Sequence, residues 1–283
     1  NKWKQKINYL IVGVELIQKA LVWFIHLGPG TKRWFWRVWY NLFAKKSSDH
    51  AFSFMNYGYY DKDLLIKLEL KDENERYPAQ LYHHTANQEI LAGKKVLEVG
   101  SGRGGGASYI SRYLLPKSIV GIDISKDAVS LCNSRHKSPG LSFSVGDSEK
   151  IPFKNNSFDV VINVESSHCY GNIPMFLSEV KRTLKPGGYF LWADFRKTEE
   201  MPLLFDSFIK SGLVKVREKN ITKNVINALK RLSRDRKEKI KKHVPKTVQP
   251  VFMAYAGIEG TGVYDSFLEN KLTYKSATFK KPG

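Results

Sequence analysis

The stretch Lys95–Gly106, KVLEVGSGRGGG, and the stretch Val120–Ser125, VGIDIS, decide the fold. In the first, an apolar run ends in an acid, Glu98, and then breaks into glycines. In the second, another apolar run ends in Asp123. A strand that closes in a turn of glycines lets the backbone approach a ligand closely. A carboxylate at the tip of the following strand can accept both hydroxyls of a ribose. Together the two stretches describe a nucleoside-binding crevice at the carboxyl edge of a parallel sheet.

Working outward, strand-like and helix-like segments alternate from Lys94 onward. KKVLEVG, SYISRYLL, SIVGIDIS, KDAVSLCNSRH, LSFSVGD, FDVVINVES, IPMFLSEVKRTL and GGYFLWADF follow one another. Such alternation predicts an α/β fold with helices on both faces of a parallel sheet. LKPGG, Leu184–Gly188, is expected to end a helix and turn the chain into the next strand. After Met201 a helix is expected, then a basic stretch over Lys230–Lys242, then a last strand-like segment, Leu272–Lys280.

The glycine loop taken alone does not choose its ligand. A pyrophosphate binder wants G-x-G-x-x-G with a helix amino end facing the phosphates. Here Gly100, Gly102 and Gly104 are spaced G-x-G-x-G, and Glu98 stands just before them. A carboxylate there repels a pyrophosphate and favours a ligand carrying an amino group or a sulfonium. Asp147, in SVGDSEKIPF, ends the third strand and could accept from an adenine amino group. FDVVINVESSHCY brings a fourth strand end to the same crevice.

With these pieces assembled, the chain resembles the class I S-adenosylmethionine-dependent methyltransferases from about Gly93 to Phe195. The acid-bearing glycine loop, GIDIS, GDSEKIPF, SFDVVINVESSH and RTLKPGGYFLWADF occur in order. The resemblance implies a Rossmann-like seven-stranded sheet, mostly parallel, with one antiparallel strand near its C-terminus. It also implies S-adenosylmethionine as cofactor. By the same likeness Gly100, Gly102 and Gly104 would approach the methionine part, and Glu98 would lie near its amino group. Asp123 would hold the ribose, Ile124 would pack on adenine, and Asp147 and Ser148 would meet the adenine edge. Asn163 would lie beside the methionine portion. Within the class, QLYHHTANQ (Gln80–Gln88), GRGGGASYISRYLLPKS, SRHKSPGLSF and NVESSHCYGNIPMFLSEV resemble the mycobacterial phthiotriolone and phenolphthiotriolone dimycocerosate O-methyltransferases. That likeness runs from about Phe52 to the C-terminus and implies a hydroxyl on a long lipid as acceptor. The tryptophan-rich start departs from it.

An alcohol acceptor needs its proton removed. His168 follows the fourth strand, and imidazole titrates near neutrality, which makes it the candidate base. Asp194, in WADF, ends the next strand and is expected to face the same crevice, where a carboxylate would fix the imidazole tautomer. Related sugar and natural-product O-methyltransferases have a similar His-and-Asp arrangement. His83 and His84 are rivals on the preceding segment, with cap packing as their alternative role. Glu165 shares the loop with His168 and could touch substrate. There is no G-x-S-x-G elbow, and no spacing of metal ligands is present, so no metal is expected.

The chain of 283 residues carries a formal net charge of +19, which suggests an anionic partner. The excess is local. Residues 1–46 hold nine Lys and Arg against one acid, and residues 213–246 hold thirteen against three, while 47–212 balance at twenty and twenty. Residues 1–46 are read as a basic, aromatic helical segment. Ile7–Leu27 is apolar around most of a helix, with Asn8, Glu15, Lys19 and His26 on one stripe. Two central charges weigh against a true membrane span at about 2.5–3.5 kcal/mol each. The segment either lies in a bilayer interface, a peripheral membrane contact, or packs on its own protein. Lys32–Phe43, KRWFWRVWYNLF, mixes arginine with three tryptophans and suits the headgroup level. Residues 47–92 are expected to form an N-terminal helical cap over the site, and residues 93–283 the core, with a basic insertion near 213–246. Cys132 and Cys169 lack CxxC spacing and suit a reducing compartment, on the cytoplasmic side of a membrane.

The reading that follows is methylation of a hydroxyl on a small apolar or lipid-like acceptor. N- or C-methylation of an amine or a sterol-like acceptor is the alternative. Nucleic-acid binding is disfavoured, because the basic 213–246 segment lacks stacked aromatics and no NPPY-type loop follows Val161. A catalytically silent binding protein is disfavoured by the intact cofactor motifs.

Overall fold

The computed structural model describes residues 53–243, 246 and 249–283. The segment 1–46, read above as helical and basic, lies outside the described residues. Seven strands form one sheet: β1 (Lys95–Val99), β2 (Ser118–Asp123), β3 (Leu141–Val145), β4 (Phe158–Val164), β5 (Leu184–Lys197), β6 (Val214–Asn220) and β7 (Leu272–Lys280). Their order is β3-β2-β1-β4-β5-β7-β6. β1 to β5 pair in parallel, and β7 runs antiparallel between β5 and β6. The Rossmann-like seven-stranded sheet expected from the sequence is therefore present, with its antiparallel strand at Leu272–Lys280.

The helices are α1 (Arg76–Ala86), α2 (Gly105–Tyr113), α3 (Lys126–Arg135), α4 (Ile173–Thr183), α5 (Met201–Lys210), α6 (Thr222–His243), α7 (Gln249–Tyr255) and α8 (Gly262–Leu268). Their starts carry ordinary chemistry. Ser125 caps α3 by accepting from the Ala128 amide at 3.1 Å, and Asn172 caps α4 through the Met175 amide at 3.0 Å. Period-2 alternation splits the strands between two cores. Val96, Val160, Ile162, Leu191 and Tyr274 face the α1, α2 and α6 side. Leu97, Val161, Phe190, Trp192 and Phe279 face α4 and α5. Phe208 of α5 stacks on Phe279 at 4.3 Å and meets Trp192 edge-on at 5.3 Å. Full burial of such a side chain contributes about 1.5–3 kcal/mol, so this cluster fastens the C-terminal half of the sheet.

Two segments differ from the sequence reading. LKPGG does not turn the chain outside the sheet. Helix α4 ends at Thr183, and β5 begins at once at Leu184. The strand absorbs the Pro-Gly-Gly as a bulge, where pairing jumps from Phe158↔Leu184 to Val160↔Tyr189. Gly187, at φ +75°, supplies the left-handed residue that a bulge requires. The second difference is β6. Its residues, VKVREKN, are all exposed, and it forms the sheet edge with lysines and arginine along it. Among the described residues no helix is long and apolar enough to cross a membrane.

Candidate active site

The strand order reverses between β1 and β4, and a crevice opens where the chain diverges to either side. A cleft lies there. Gly100 and Gly102 line it, as do Asp123 and Ile124 from the tip of β2, and Asp147 and Ser148 after β3. Glu165, Ser166, Cys169 and Tyr170 come from the turn after β4. Ser53–Asn56 and Tyr82 close the remaining side. Glu98, Asn163 and Gly104 stand behind this lining.

Gly100 adopts φ +79°, and a Cβ there would strike the Ser166 hydroxyl and come within 2.7 Å of the Tyr170 hydroxyl. Its amide donates to the Ile122 carbonyl at 2.9 Å, which folds the loop back over β2. Asp123 holds the same loop. One carboxylate oxygen accepts the Gly102 amide and the other the Ser125 amide, both at 2.9 Å. Burial pushes the Asp123 carboxyl up, while those amides favour its charged form. Ile124 is exposed just past the strand tip and offers an apolar surface to the cleft.

Behind the loop, Glu98 is fully buried. Tyr82 of α1 donates its hydroxyl to Glu98 Oε1 at 2.7 Å. Glu98 Oε2 has no hydrogen-bond partner among the described residues. Burial pushes this carboxyl up to about 7, against the Tyr82 hydroxyl and the Ala107 amide, and nearby Asp123 adds to the rise. A buried carboxylate with an oxygen to spare beside a glycine loop suits a ligand bearing a cationic amine or sulfonium. Asn163 ties the strand tips together. Its amide nitrogen donates to the Val99 carbonyl at 2.9 Å, Ser166 Oγ at 2.8 Å and the Tyr170 hydroxyl at 3.0 Å, while Oδ1 has no partner among the described residues.

His168 and Asp194 are in contact. The turn Ser167–Cys169 follows β4, and Asp194 lies on the neighbouring β5. His168 Nδ1 donates to Asp194 Oδ1 at 2.9 Å, and its own amide donates to Oδ2 at 2.9 Å. Ser167 adds a hydroxyl to Oδ2 at 2.6 Å, and Phe195 its amide to Oδ1 at 2.8 Å. Arg196 pairs with the same carboxylate at 3.2 Å. These donors hold the fully buried Asp194 ionised, well below the usual carboxylate range, although burial opposes it. For His168, burial favours the neutral ring, but the Cys169 sulfur and the Asp194 carboxylate outweigh it and raise the imidazole to about 10. Nδ1 is thereby committed to Asp194.

Glu165 is more central than its loop position suggested. It lines the cleft at φ +48°, a strained backbone for a non-glycine residue. Its Oε2 accepts the Tyr57 amide at 2.9 Å and the Tyr274 hydroxyl at 3.0 Å. Burial pushes it up to about 8, against those donors and His168. The strap Ser53–Tyr57 is fastened at further points. Ser53 donates its amide to Glu75 at 2.9 Å, and Arg236 of α6 donates to the Asn56 carbonyl at 2.7 Å. His83 and His84 point elsewhere. His83 meets the Tyr109 hydroxyl at 2.8 Å; His84 meets Ser276 at 2.9 Å and stacks on Tyr59 at 4.4 Å. Burial lowers both, His84 to about 4. The residue of QLYHHTANQ that reaches the cleft is Tyr82. Gly106 makes room for it, since a Cβ there would overlap the Tyr82 ring. Among the described residues no cluster of His, Cys, Asp or Glu could hold a metal ion.

Residues 97–192 match the family described as methyltransferase domain. The chain is 38% identical over 247 residues to the phthiotriol/phenolphthiotriol dimycocerosates methyltransferase of Mycobacterium leprae (strain TN), covering 87% of this chain and 92% of the relative. It is 36% identical over 244 residues to the fatty-acid O-methyltransferase of Mycolicibacterium smegmatis, covering 86% and 88%. Among solved structures it is similar to the geranyl diphosphate C-methyltransferase of Streptomyces coelicolor A3(2), in complex with Mg2+, geranyl diphosphate and S-adenosyl-L-homocysteine. That similarity has a TM-score of 0.62 at 13% identity, over 87% of this chain and 97% of that one. The last likeness is one of fold alone. The chain belongs to the S-adenosylmethionine-dependent methyltransferases, in the family of the mycobacterial phthiotriol/phenolphthiotriol dimycocerosates methyltransferases.

Proposed function

We propose that the enzyme methylates an oxygen of an apolar, lipid-like acceptor, with His168 as the base. The observation that carries this reading is the contact of His168, on the turn that also supplies cleft residues, with Asp194 of β5. S-adenosylmethionine supplies the electrophilic methyl group when bound. Gly100 and Gly102 would let the backbone approach its methionine part, with Gly104 shaping the loop behind them, and Asn163 would brace the strand tips beside it. Glu98, with its spare buried oxygen, would face the amino group. Asp123 would take the ribose, and Ile124, Asp147 and Ser148 the adenine. Phe54 and Met55 give the cleft an apolar wall. The relatives' named acceptors, dimycocerosates and fatty acids, support a lipid. The basic, tryptophan-rich segment 1–46 supports peripheral contact with a bilayer that holds such an acceptor.

In this reading Asp194 fixes the imidazole with Nδ1 protonated, and Nε2 takes the hydroxyl proton as the oxygen attacks. The base must be neutral, so turnover on an alcohol rises with pH as the imidazolium titrates. One observation favours a second acceptor. An imidazole raised to about 10 is cationic at neutral pH and suits a carboxylate that needs orientation but no deprotonation. Methyl-labelled S-adenosylmethionine, supplied with a long-chain alcohol or the fatty acid of equal length, separates the two. Ether formation that climbs with pH supports His168 as base. Ester formation that falls with pH, with no ether formed, supports the carboxylate. An amine or carbon product alone refutes both.

A further inference from the structure

Helix α6 carries nine Lys and Arg against two acids, and none of these charges belongs to the cleft lining. Their arrangement is regular. Lys223, Lys230, Arg234, Lys237 and Lys241 follow at intervals of seven, four, three and four residues. At about 100° per residue these five fall within about 60° of arc. They form one line about 27 Å long. All five are exposed. The opposite side of the helix is the buried one, with Val225, Ala228, Leu229, Leu232, Ser233 and Ile240. Arg236 is on that inner side and holds the carbonyls of Asn56 and Ala256 at 2.7 and 2.8 Å. One rigid element thus presents a row of cations outward and fastens the cleft strap inward.

The acids near the row do not neutralise it. Arg234 meets Glu238 at 3.3 Å, and Lys230 meets Glu259 at 3.8 Å, both in exposed pairs. Such pairs contribute little in water and leave both charges available to a partner. Asp235 is turned to Lys239 at 2.8 Å, off the row. Arg231, on the flank, lies over the Tyr60 ring at 3.9 Å. Lysine dominates the row, and no aromatic side chain interrupts it. Nucleic-acid surfaces use aromatic stacking and forked arginine contacts, whereas a line of flexible lysines matches a diffuse sheet of negative charge.

We propose that the outward face of α6 docks the enzyme on an anionic membrane surface, through Lys223, Lys230, Arg234, Lys237 and Lys241. Only the choice of lipid over another polyanion rests on the lipid-acceptor reading. The contact itself does not depend on turnover. It is electrostatic and separate from any contact made by residues 1–46. Each cation near an anionic leaflet contributes roughly a factor of five in partitioning, and salt weakens the attraction.

The test uses the full chain with vesicles of phosphatidylcholine alone or with roughly 30% phosphatidylglycerol. The variant Lys230→Gln/Arg234→Gln/Lys237→Gln removes three charges from the row. The variant Lys117→Gln/Lys137→Gln/Lys210→Gln removes three exposed charges elsewhere. Calorimetric binding of S-adenosylmethionine checks that both fold. The row variant is expected to lose about a hundredfold in partitioning onto anionic vesicles, while the control variant stays near the parent. A loss under tenfold in the row variant overturns the proposal. So does an equal loss in the control, which would reduce the effect to net charge. Tighter binding of a single-stranded RNA than of the vesicles at physiological salt assigns the face to nucleic acid and overturns it as well. A chain that docks through the row but methylates no lipid leaves this proposal standing and defeats only the acceptor reading.

Discussion

Asp194→Asn isolates the part of the site that orients His168. In the parent, every neighbour of the carboxylate is a donor. Oδ2 takes Ser167 Oγ at 2.6 Å and the His168 amide at 2.9 Å, and Oδ1 takes His168 Nδ1 at 2.9 Å and the Phe195 amide at 2.8 Å. An asparagine must turn its NH2 toward one pair. Toward His168 Nδ1 it forces the ring to accept, moves the ring proton to Nε2 and opposes the Phe195 N–H. Toward the other pair it opposes the His168 amide. Ser167 cannot relieve this cheaply, because its Oγ already accepts from Trp192 and Arg196, both at 3.0 Å. One buried donor left unpaired costs about 1–3 kcal/mol. In a domain of this size that lowers Tm by about 2–12 °C. On the proposed role of His168 as base, losing its orientation is expected to lower turnover by about 10²–10⁴. S-adenosylmethionine affinity is expected to hold, since Asp194 does not line the cleft. The assay is methyl transfer to a long-chain alcohol beside calorimetric cofactor binding. A folded variant that turns over within tenfold of the parent refutes the orienting role. The pH dependence is also fixed in sign. His168 is raised from 6.5 to about 10, so its share of stability is complete below pH 6.5 and fades as pH climbs toward 10. Asp194 is lowered from 3.8, so its share is present above that value and lost in acid. The parent's Tm advantage over the variant is therefore expected to be widest between these limits and to shrink in alkali.

Gly106→Ala places a methyl group into the Tyr82 ring. Overpacking of this kind costs about 1–3 kcal/mol, read as a lower Tm, and a Tm equal to the parent's would mean that α1 and α2 do not pack as described. Glu165→Gln keeps an acceptor for the Tyr57 amide and the Tyr274 hydroxyl. It is expected to stay near parental stability, whereas Glu165→Ala strands both donors and loses about 1–3 kcal/mol for each in denaturant unfolding. Equal stability of the two variants would contradict that bonding pattern.

Much of the sheet was legible because its strands are buried on both faces and so read as apolar runs, punctuated by glycine and an acid. VLEV and VVINV could be nothing else. The edge strand β6 was hidden for the converse reason: all of VKVREKN is exposed, and its alternation is drowned by charge. The KPGG bulge looked like an ordinary turn because proline and glycine mark both. In the site, the meeting of His168 with Asp194 was readable, since His168 follows the end of β4 and Asp194 lies on the neighbouring parallel strand, although β5 runs on to Lys197 instead of ending there. Tyr82, the strap Ser53–Asn56 and the grip of Glu165 on Tyr57 were not. They bridge residues separated by up to 180 positions, and only the fold brings them together. His84 shows the same limit from the other side, because burial against Tyr59 and Ser276 gives it a packing role that no local pattern displays.

Calorimetry of S-adenosylmethionine binding to the parent and to Glu98→Gln, across pH 5.5 to 8.5, addresses the acid-bearing glycine loop most directly. A buried carboxylate that titrates near 7 should tighten binding as pH rises through that value. The glutamine variant should bind about 10–100-fold more weakly and show no such rise. Identical affinity in both proteins with no pH dependence, or tighter retention of a nicotinamide dinucleotide, would contradict the cradle for a cationic nucleoside.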